Sequence, residues 1–454
     1  MNTPRSSIPD FVWPGIPSMA GCILMGLQFQ LERSQWLSAE TIRALQLRQI
    51  ERLVAHAYRT VPYYKEAFAA AGVVATESLT PDNWSQVPLL TRESLQEHGD
   101  ELLSRSIPEE HGQTFEKKTS GSTGRQIVVT DTEGNRLFWQ ANTLRDHLWH
   151  QRNFRGHLAA IRSGRSAKDP LLVKDHQSWG NSTGQIYETG PSTVFYQRMP
   201  IWKQAEVLQA RNPEYLLAYP GNAVRLADYF RAHALQLPNL REVMTYGESI
   251  LPETRSACRD AWGVSVSDMY SCEEVGYIAL QCPKDDDNYH CQAESVLVEV
   301  IDDEGRPCQA GEIGRVVLTV LHNFAMPLIR YENQDYAEVG APCACGRGLP
   351  VIKRILGRKR NMARAVDGRR FWTDLPPEIW SNFIGLEELQ LVQDEPDHIE
   401  LRIVAEQPLN ETHESSLTAG LGRALGQPYR FSVRYQHETL RLANGKYERF
   451  ICQV

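Results

Sequence analysis

A chain of 454 residues with an apolar fraction of 42% and a charged fraction of 23% has the composition of an ordinary globular protein, too long for one average domain. Its net charge of −8 argues against a broad nucleic-acid or anionic-membrane surface, while leaving room for a local basic pocket. The N-terminus lacks the charged-then-apolar pattern of a signal peptide, the apolar stretch from Gly15 to Leu27 is short and broken by Pro17, and most of the nine cysteines stand alone, so no membrane span and reduced thiols in the cytoplasm are expected.

No internal repeat or low-complexity segment is visible. Ser38 reads as the N-cap of a long helix with Leu47, Ile50, Val54 and Ala57 on one face, and Pro62 breaks it. Next comes Lys117-Lys118-Thr119-Ser120-Gly121-Ser122-Thr123-Gly124-Arg125, between strand patterns at Thr114-Phe115 and Ile127–Thr130. Glycines admit a ligand close to the backbone, and hydroxyls, amides and flanking cations can wrap phosphate oxygens. It is no Walker loop, because no Gly-Lys-Ser/Thr closes it and no helix follows at once. Alone, such a run could equally be a flexible turn.

Short apolar strands then alternate with helical patterns, which predicts an α/β core. Tyr246-Gly247-Glu248 follows one strand and precedes a helix starting near Pro252, and Tyr270–Gly276 follows another. Val296–Ile301 and Gly314–Thr319 read as strands around a turn at Asp303-Glu304-Gly305, and Arg330–Asp335 ends a third segment. Around Gly357–Met362 the chain turns basic. The roughly ninety residues beyond, with strand patterns at Leu389–Val392 and His398–Val404 and a helix near Glu414–Leu425, suffice for a small α+β domain. Near the end stands Asn444-Gly445-Lys446-Tyr447-Glu448-Arg449.

Each piece alone has a bland reading: a solvated Glu274, a turn residue at Asp335, a surface Lys446. In this order they resemble the adenylate-forming (ANL) ligases, and within them the phenylacetate–coenzyme A ligase and capsular-biosynthesis ligase branch. The resemblance covers nearly the whole chain, including His56–Tyr64, Val87-Pro88-Leu89-Leu90-Thr91 and Met326-Pro327-Leu328-Ile329-Arg330-Tyr331. It implies an α/β fold with a large N-terminal domain of layered sheets and helices (1–360) and a small mobile α+β domain (361–454). It further implies that Ser120, Gly121, Ser122, Thr123 and Gly124 hold the ATP phosphates and that Tyr270 stacks near adenine. Asp335 would accept from the ribose hydroxyls, Arg358 would contact the nucleotide before the hinge, and Tyr246, Gly247 and Glu248 would line the site. Glu274 would hold Mg²⁺, and Lys446 would reach the α-phosphate.

The implied reaction converts a carboxylate, whose oxide is a poor leaving group, to an acyl-adenylate with release of pyrophosphate; a second nucleophile then displaces AMP. Charge grows on the phosphoryl oxygens, which explains a lysine and a cation there. The donor implied is an aryl or other small hydrophobic acid, with Tyr219-Pro220-Gly221-Asn222 and Tyr246 lining its pocket. The acceptor implied is coenzyme A, with a carrier-protein thiol or an amine as alternatives and a homodimer left open. Three positions depart from the branch pattern: Arg125-Gln126 stands where Lys/Thr-Pro is common, Glu273 replaces a hydroxyl beside Glu274, and Asn361 occupies the hinge. Asparagine tolerates unusual backbone angles, so hinging survives there. A catalytically silent homologue and a phosphotransferase are the competing readings. Finally, Cys343-Ala344-Cys345 resembles half a zinc knuckle, and with Cys282 and His290 three thiolates and an imidazole would make a closed structural Zn²⁺ site, as in some members of the branch. Buried free cysteines and a hydrogen-bonded histidine are the alternative.

Overall fold

The computed structural model describes residues 3–73, 79–118, 126–163, 169–380, 383, 385–405, 407–437, 441–442 and 446–454. The loop residues Thr119 to Arg125, and with them the expected phosphate contacts Ser120, Gly121, Ser122, Thr123 and Gly124, lie outside the described residues, as do Asn444 and Gly445.

The long helix spans Ala39–Thr60, with the Ser38 hydroxyl accepting from the Thr41 N–H (3.2 Å) and Leu47, Ile50, Val54 and Ala57 buried. Pro62 ends it by opening a second helix, Pro62–Ala70, at its first position, where the missing N–H costs nothing. Earlier, Met19–Ser34 is helical, and no described helix is long and apolar enough to cross a membrane.

The first hairpin pairs β1 (Thr114–Lys118) with β2 (Val128–Thr132), so the glycine- and hydroxyl-rich run joins two antiparallel strands as expected. One helix onward, Glu133–Trp149, the chain builds one mixed sheet from β3 (Leu158–Arg162), β4 (Lys174–His176), β5 (Ser192–Tyr196), β6 (Tyr215–Ala218), β7 (Glu242–Tyr246), β8 (Ser265–Cys272), β9 (Gly276–Cys282), β10 (Asp285–Cys291), β11 (Val296–Ile301), β12 (Ile313–Val320), β13 (Tyr331–Val339) and β14 (Val351–Arg358). Its spatial order is β11-β12-β13-β14-β10-β9-β8-β7-β6-β3-β5-β4. Strands β5, β3, β6, β7 and β8 run parallel, and the rest pair antiparallel. Helices Ile201–Arg211, Pro220–Ala232 and Thr254–Trp262 cross between the parallel strands and bury a core of Phe195, Leu208, Leu226, Phe230 and Val243. That arrangement leaves a crevice at the C-terminal strand ends, where ligands of open α/β sheets bind.

Buried charge also occurs at the opposite end. Arg152, fully buried, pairs with Asp146 (2.5 Å) and with Glu242 (2.8 Å), the first residue of β7, and donates to Ser267 (2.9 Å). These groups satisfy one another, so the cluster is structural rather than a second site.

After β14 a single turn, Lys359–Asn361, leads to the hairpin β15 (Met362–Arg364) and β16 (Arg370–Trp372), then to a four-stranded sheet ordered β19 (Arg430–Tyr435), β18 (His398–Ala405), β17 (Leu386–Glu395), β20 (Phe450–Cys452). Helix Glu411–Leu425 covers it through Leu417, Leu421 and Leu425 against Leu391, Leu401 and Ile403. The expected large α/β domain and small α+β domain are both present. Asn361 differs from expectation in its means: it is absent from the residues of positive φ, and its carboxamide does the holding. Its Oδ1 accepts from the Arg358 N–H (2.8 Å), and its Nδ2 donates to Phe450 O (2.9 Å) and Glu448 (3.1 Å).

Candidate active site

Four strand ends converge on the crevice. From β7 the chain passes through Tyr246, then Gly247 at φ +78°, where a Cβ would sit 3.0 Å from the Tyr219 ring, so only glycine fits this turn. Glu248 follows, and both its oxygens are engaged: Oε2 accepts from the Gly221 N–H (3.2 Å) and Oε1 from the Tyr447 N–H (2.9 Å). The second bond crosses between domains. Burial pushes the Glu248 carboxyl up, while Arg441, those two N–H groups and Lys446 draw it back. Glu248, expected among the residues lining the nucleotide site, also ties the Lys446 segment to the large domain.

That segment is held from several sides. Lys446 O accepts from the Leu442 N–H (2.9 Å). Tyr447 is buried with Val404 and Leu251, and its hydroxyl donates to Leu389 O. Arg449 pairs with Glu253 at 2.5 Å, and Glu388 of β17 receives Arg225 (3.1 Å) and Arg441 (2.9 Å). A side chain at Gly221 would meet Glu248 and Tyr447 at 3.4 Å, which explains the small residue at this approach.

The second group knots Tyr270, Asn333, Asp335 and Arg358. The Tyr270 hydroxyl donates to Asp335 Oδ2 (2.8 Å), and Asn333 Nδ2 donates to both (2.9 and 2.8 Å). Arg358 lies 3.5 Å from Asp335 Oδ1, the two being cross-strand partners on β13 and β14. Burial and the nearby Asp335 charge push the Tyr270 hydroxyl well above the usual range, so it remains a donor. Asp335 was read as ending a segment, but β13 runs through it, with Gln334 at φ +69° re-aiming its neighbours. Asn333 escaped sequence reasoning; its only signal was a polar run inside an apolar strand.

Glu274, 9% exposed, sits between β8 and β9 and accepts on Oε1 from Arg92 (3.2 Å) and from the Tyr331 hydroxyl (3.5 Å). Arg92 was also missed, although it directly follows the noted Val87–Thr91 run. Glu273 is exposed, so the second carboxylate turns away from the buried pair. One carboxylate fits Mg²⁺, which characteristically takes one or two carboxylates together with substrate phosphates. Of the two lysines before the glycine-rich loop, Lys117 pairs with buried Asp131, which leaves Lys118 as the exposed one.

The cysteines come together as expected. Donor atoms of Cys282 (end of β9), His290 (β10), Cys343 and Cys345 (between β13 and β14) all lie within 4.8 Å of one another. Cys282 and Cys343 sulfurs are 3.8 Å apart, and Cys345 Sγ is 3.3 Å from His290 Nε2. Bonds of about 2.3 Å to sulfur and about 2.0 Å to nitrogen, arranged tetrahedrally, put neighbouring donors roughly 3.5–3.8 Å apart. The cluster therefore fits zinc, and a disulfide at 3.8 Å is excluded. Burial pushes the Cys282 thiol up to about 12 and His290 down to about 4. At Cys345 burial is outweighed by N–H and side-chain donors of Arg347, which favour the thiolate. Arg347 in turn stacks on Trp149 (4.4 Å) and Trp36 (5.0 Å), anchoring the loop to the helical layer.

A strand-end crevice in a large α/β domain, closed by a small α+β domain that presents a lysine segment, defines the architecture of adenylate-forming acid–CoA ligases. No family model matches the chain. It is 26% identical over 338 residues to the phenylacetate-coenzyme A ligase of Thermus thermophilus, covering 72% of each chain. Among solved structures it superposes with TM-score 0.75 on 2-hydroxyisobutyryl-CoA ligase in the post-adenylation state with 2-HIB-AMP, at 18% identity over 93% of this chain and 92% of that one. On the same ligase with 2-HIB-AMP and CoA in the thioesterification state the score is 0.60, at 19% identity over 92% and 91%. The chain belongs to the adenylate-forming superfamily, as a distant homologue of the phenylacetate-coenzyme A ligases.

Proposed function

We propose that this protein is an AMP-forming ligase that activates an aryl or other small hydrophobic acid as its acyl-adenylate and passes the acyl group to coenzyme A. The observation that carries the reading is the Lys446 segment, drawn onto the crevice by the Tyr447–Glu248 bond. The higher score against a post-adenylation structure supports a small domain seated for the first half-reaction. The domain boundary falls at 360/361, within the turn that Asn361 ties on both sides.

In this reading Ser120, Gly121, Ser122, Thr123 and Gly124 grip the outgoing pyrophosphate. Asp335, with Tyr270 and Asn333 fixing its orientation, takes the ribose hydroxyls, and Arg358 holds it from the facing strand. Glu274 would hold Mg²⁺, which supplies charge neutralisation on the phosphates; Arg92 shares that carboxylate. Lys446 stabilises charge on the α-phosphoryl oxygens as the acid's carboxylate attacks. The Cys282, His290, Cys343 and Cys345 set would bind Zn²⁺ with no open position, so it serves structure alone.

The test is acid-dependent exchange of pyrophosphate into ATP over a broad acid panel, with product analysis. AMP and pyrophosphate support the reading. ADP points to a phosphotransferase, and no exchange with any acid points to a silent homologue. Hydroxylamine and carrier-protein trapping against CoA sorts the acceptors.

The Glu248 tie makes a separate prediction. In E248Q one of the two N–H groups faces an amide N–H₂ in place of an oxygen. Losing a buried hydrogen bond costs about 1–2 kcal/mol, so adenylate formation falls roughly tenfold while thioester formation from supplied adenylate changes less. Single-turnover measurement of each half-reaction checks this.

A further inference from the structure

Arg92 and Glu274 form a buried pair, 4% and 9% exposed, whose geometry is one-sided. Arg92 Nη1 stands 3.2 Å from Glu274 Oε1, and the Tyr331 hydroxyl makes a longer contact of 3.5 Å with the same oxygen. The Cys272 thiol is a further neighbour of the carboxylate. Among the described residues neither a nitrogen nor a hydroxyl donates to Oε2. Both donors come from backbone that is itself tied down. Leu90, two residues before Arg92, donates to Arg330 O (3.0 Å) and accepts from the Glu332 N–H (2.9 Å), bracketing Tyr331. Thr91 then caps the helix Arg92–Glu97, its hydroxyl accepting from the Ser94 N–H (3.1 Å), which fixes Arg92 as the first helical residue. Arg330, also buried, donates to Ser85 O (2.8 Å) and Val87 O (2.7 Å) and lies 3.4 Å from Glu299. It does so from φ +49°, a left-handed backbone that a residue with a side chain keeps only where its surroundings fix it.

A carboxylate held by one oxygen offers a cation the other. Mg²⁺ demands near-ideal octahedral geometry, whereas Ca²⁺ accepts roughly six to eight oxygens and can take a carboxylate by both of its own. We infer that Arg92, with a lesser part played by Tyr331, is a positioning residue that keeps Glu274 Oε1 from the cation and leaves Oε2 as the single ligand. The site thereby selects Mg²⁺ over Ca²⁺ on the bound nucleotide. This rests on the adenylation reading, in which Glu274 holds the cation, and adds how the chain sets which cation is held.

The experiment measures, by calorimetry, the affinity of wild type, R92K, R92Q and Y331F for α,β-methylene-ATP as its Mg²⁺ complex, as its Ca²⁺ complex, and free of metal in EDTA. Wild type is expected to bind the Mg²⁺ complex more tightly than the Ca²⁺ complex. In R92Q that preference falls about tenfold, the scale of one charge-assisted hydrogen bond. R92K retains part of it, Y331F loses less, and affinity for the metal-free nucleotide stays. A preference unchanged in R92Q would overturn the inference. So would an equal loss for the metal-free nucleotide, which would place Arg92 on the phosphates instead. If R92Q fails to fold, because a buried carboxylate is left without its cation, R92K and Y331F decide: a preference unchanged in both refutes the positioning role. Pyrophosphate exchange separates the two levels. Exchange in wild type, with a metal preference that ignores Arg92, leaves adenylation standing and removes only the inference. A wild type that binds none of the three nucleotide forms overturns both.

Discussion

Replacing Lys446 with alanine is expected to lower adenylate formation by roughly 10²–10³-fold or more, the effect of deleting one donor aimed at developing negative charge. The backbone around it is positioned by neighbours the substitution does not touch: Leu442 N–H on Lys446 O, Tyr447 N–H on Glu248, and the Arg449–Glu253 pair. The folded state and the domain contact should therefore survive. ATP affinity, measured by calorimetry, should change little, because the proposed contacts to the β- and γ-phosphates and ribose all belong to the large domain. Transfer from chemically supplied acyl-adenylate to the acceptor should also persist, because that step does not develop charge at the same oxygens. Rapid-quench analysis of each half-reaction separates these outcomes. Equal loss in both would contradict the assigned role and show Lys446 to be structural.

Removing the metal cluster should have the largest effect on stability. Cys282 and His290 belong to adjoining strands, while Cys343 and Cys345 lie in the connection that leads into β14, which carries Arg358. With zinc bound, two buried sulfurs, a half-buried one and a buried imidazole are compensated at once. With C343S the ion loses a ligand, and Cys282 and His290 revert to the neutral forms that their burial favours. About 3 kcal/mol or more of stability should be lost, on the order of 4 °C in melting temperature for a unit of this size. The purified protein should carry one zinc per chain by elemental analysis, and chelation should reproduce the C343S melting curve. Substoichiometric zinc with intact, reduced cysteines would refute the cluster as a metal site. Because the site has no open coordination position, activity per folded molecule should fall less than stability.

Much of the fold was legible because local rules sufficed. Ser38 capped its helix, Pro62 ended it, and the alternating runs at Val296–Ile301 and Gly314–Thr319 became paired strands. Errors arose where tertiary contacts decide. Asp335 looked terminal because the polar Glu332–Asp335 run breaks strand patterning, yet the bulge at Gln334 carries the strand onward. The tie that Glu248 makes to the Lys446 segment was likewise not legible in the sequence. Its partners are backbone N–H groups 27 and 199 positions away, which leave no mark on composition or spacing. Arg92 and Asn333 were missed for the same reason: each acts on a residue placed by another element.

By itself, the sequence determined the superfamily resemblance and the two fold classes, and it nominated the phosphate loop, Glu274, Asp335, Lys446 and the three cysteines and one histidine that the fold brings together, because chemistry of this kind demands particular residue types in a particular order. Tertiary structure alone decided that Glu248 ties down the lysine segment and that Arg92 shares Glu274. Order along a chain is set by local chemistry, whereas pairing between distant charges is set by which strand ends the fold brings to one crevice.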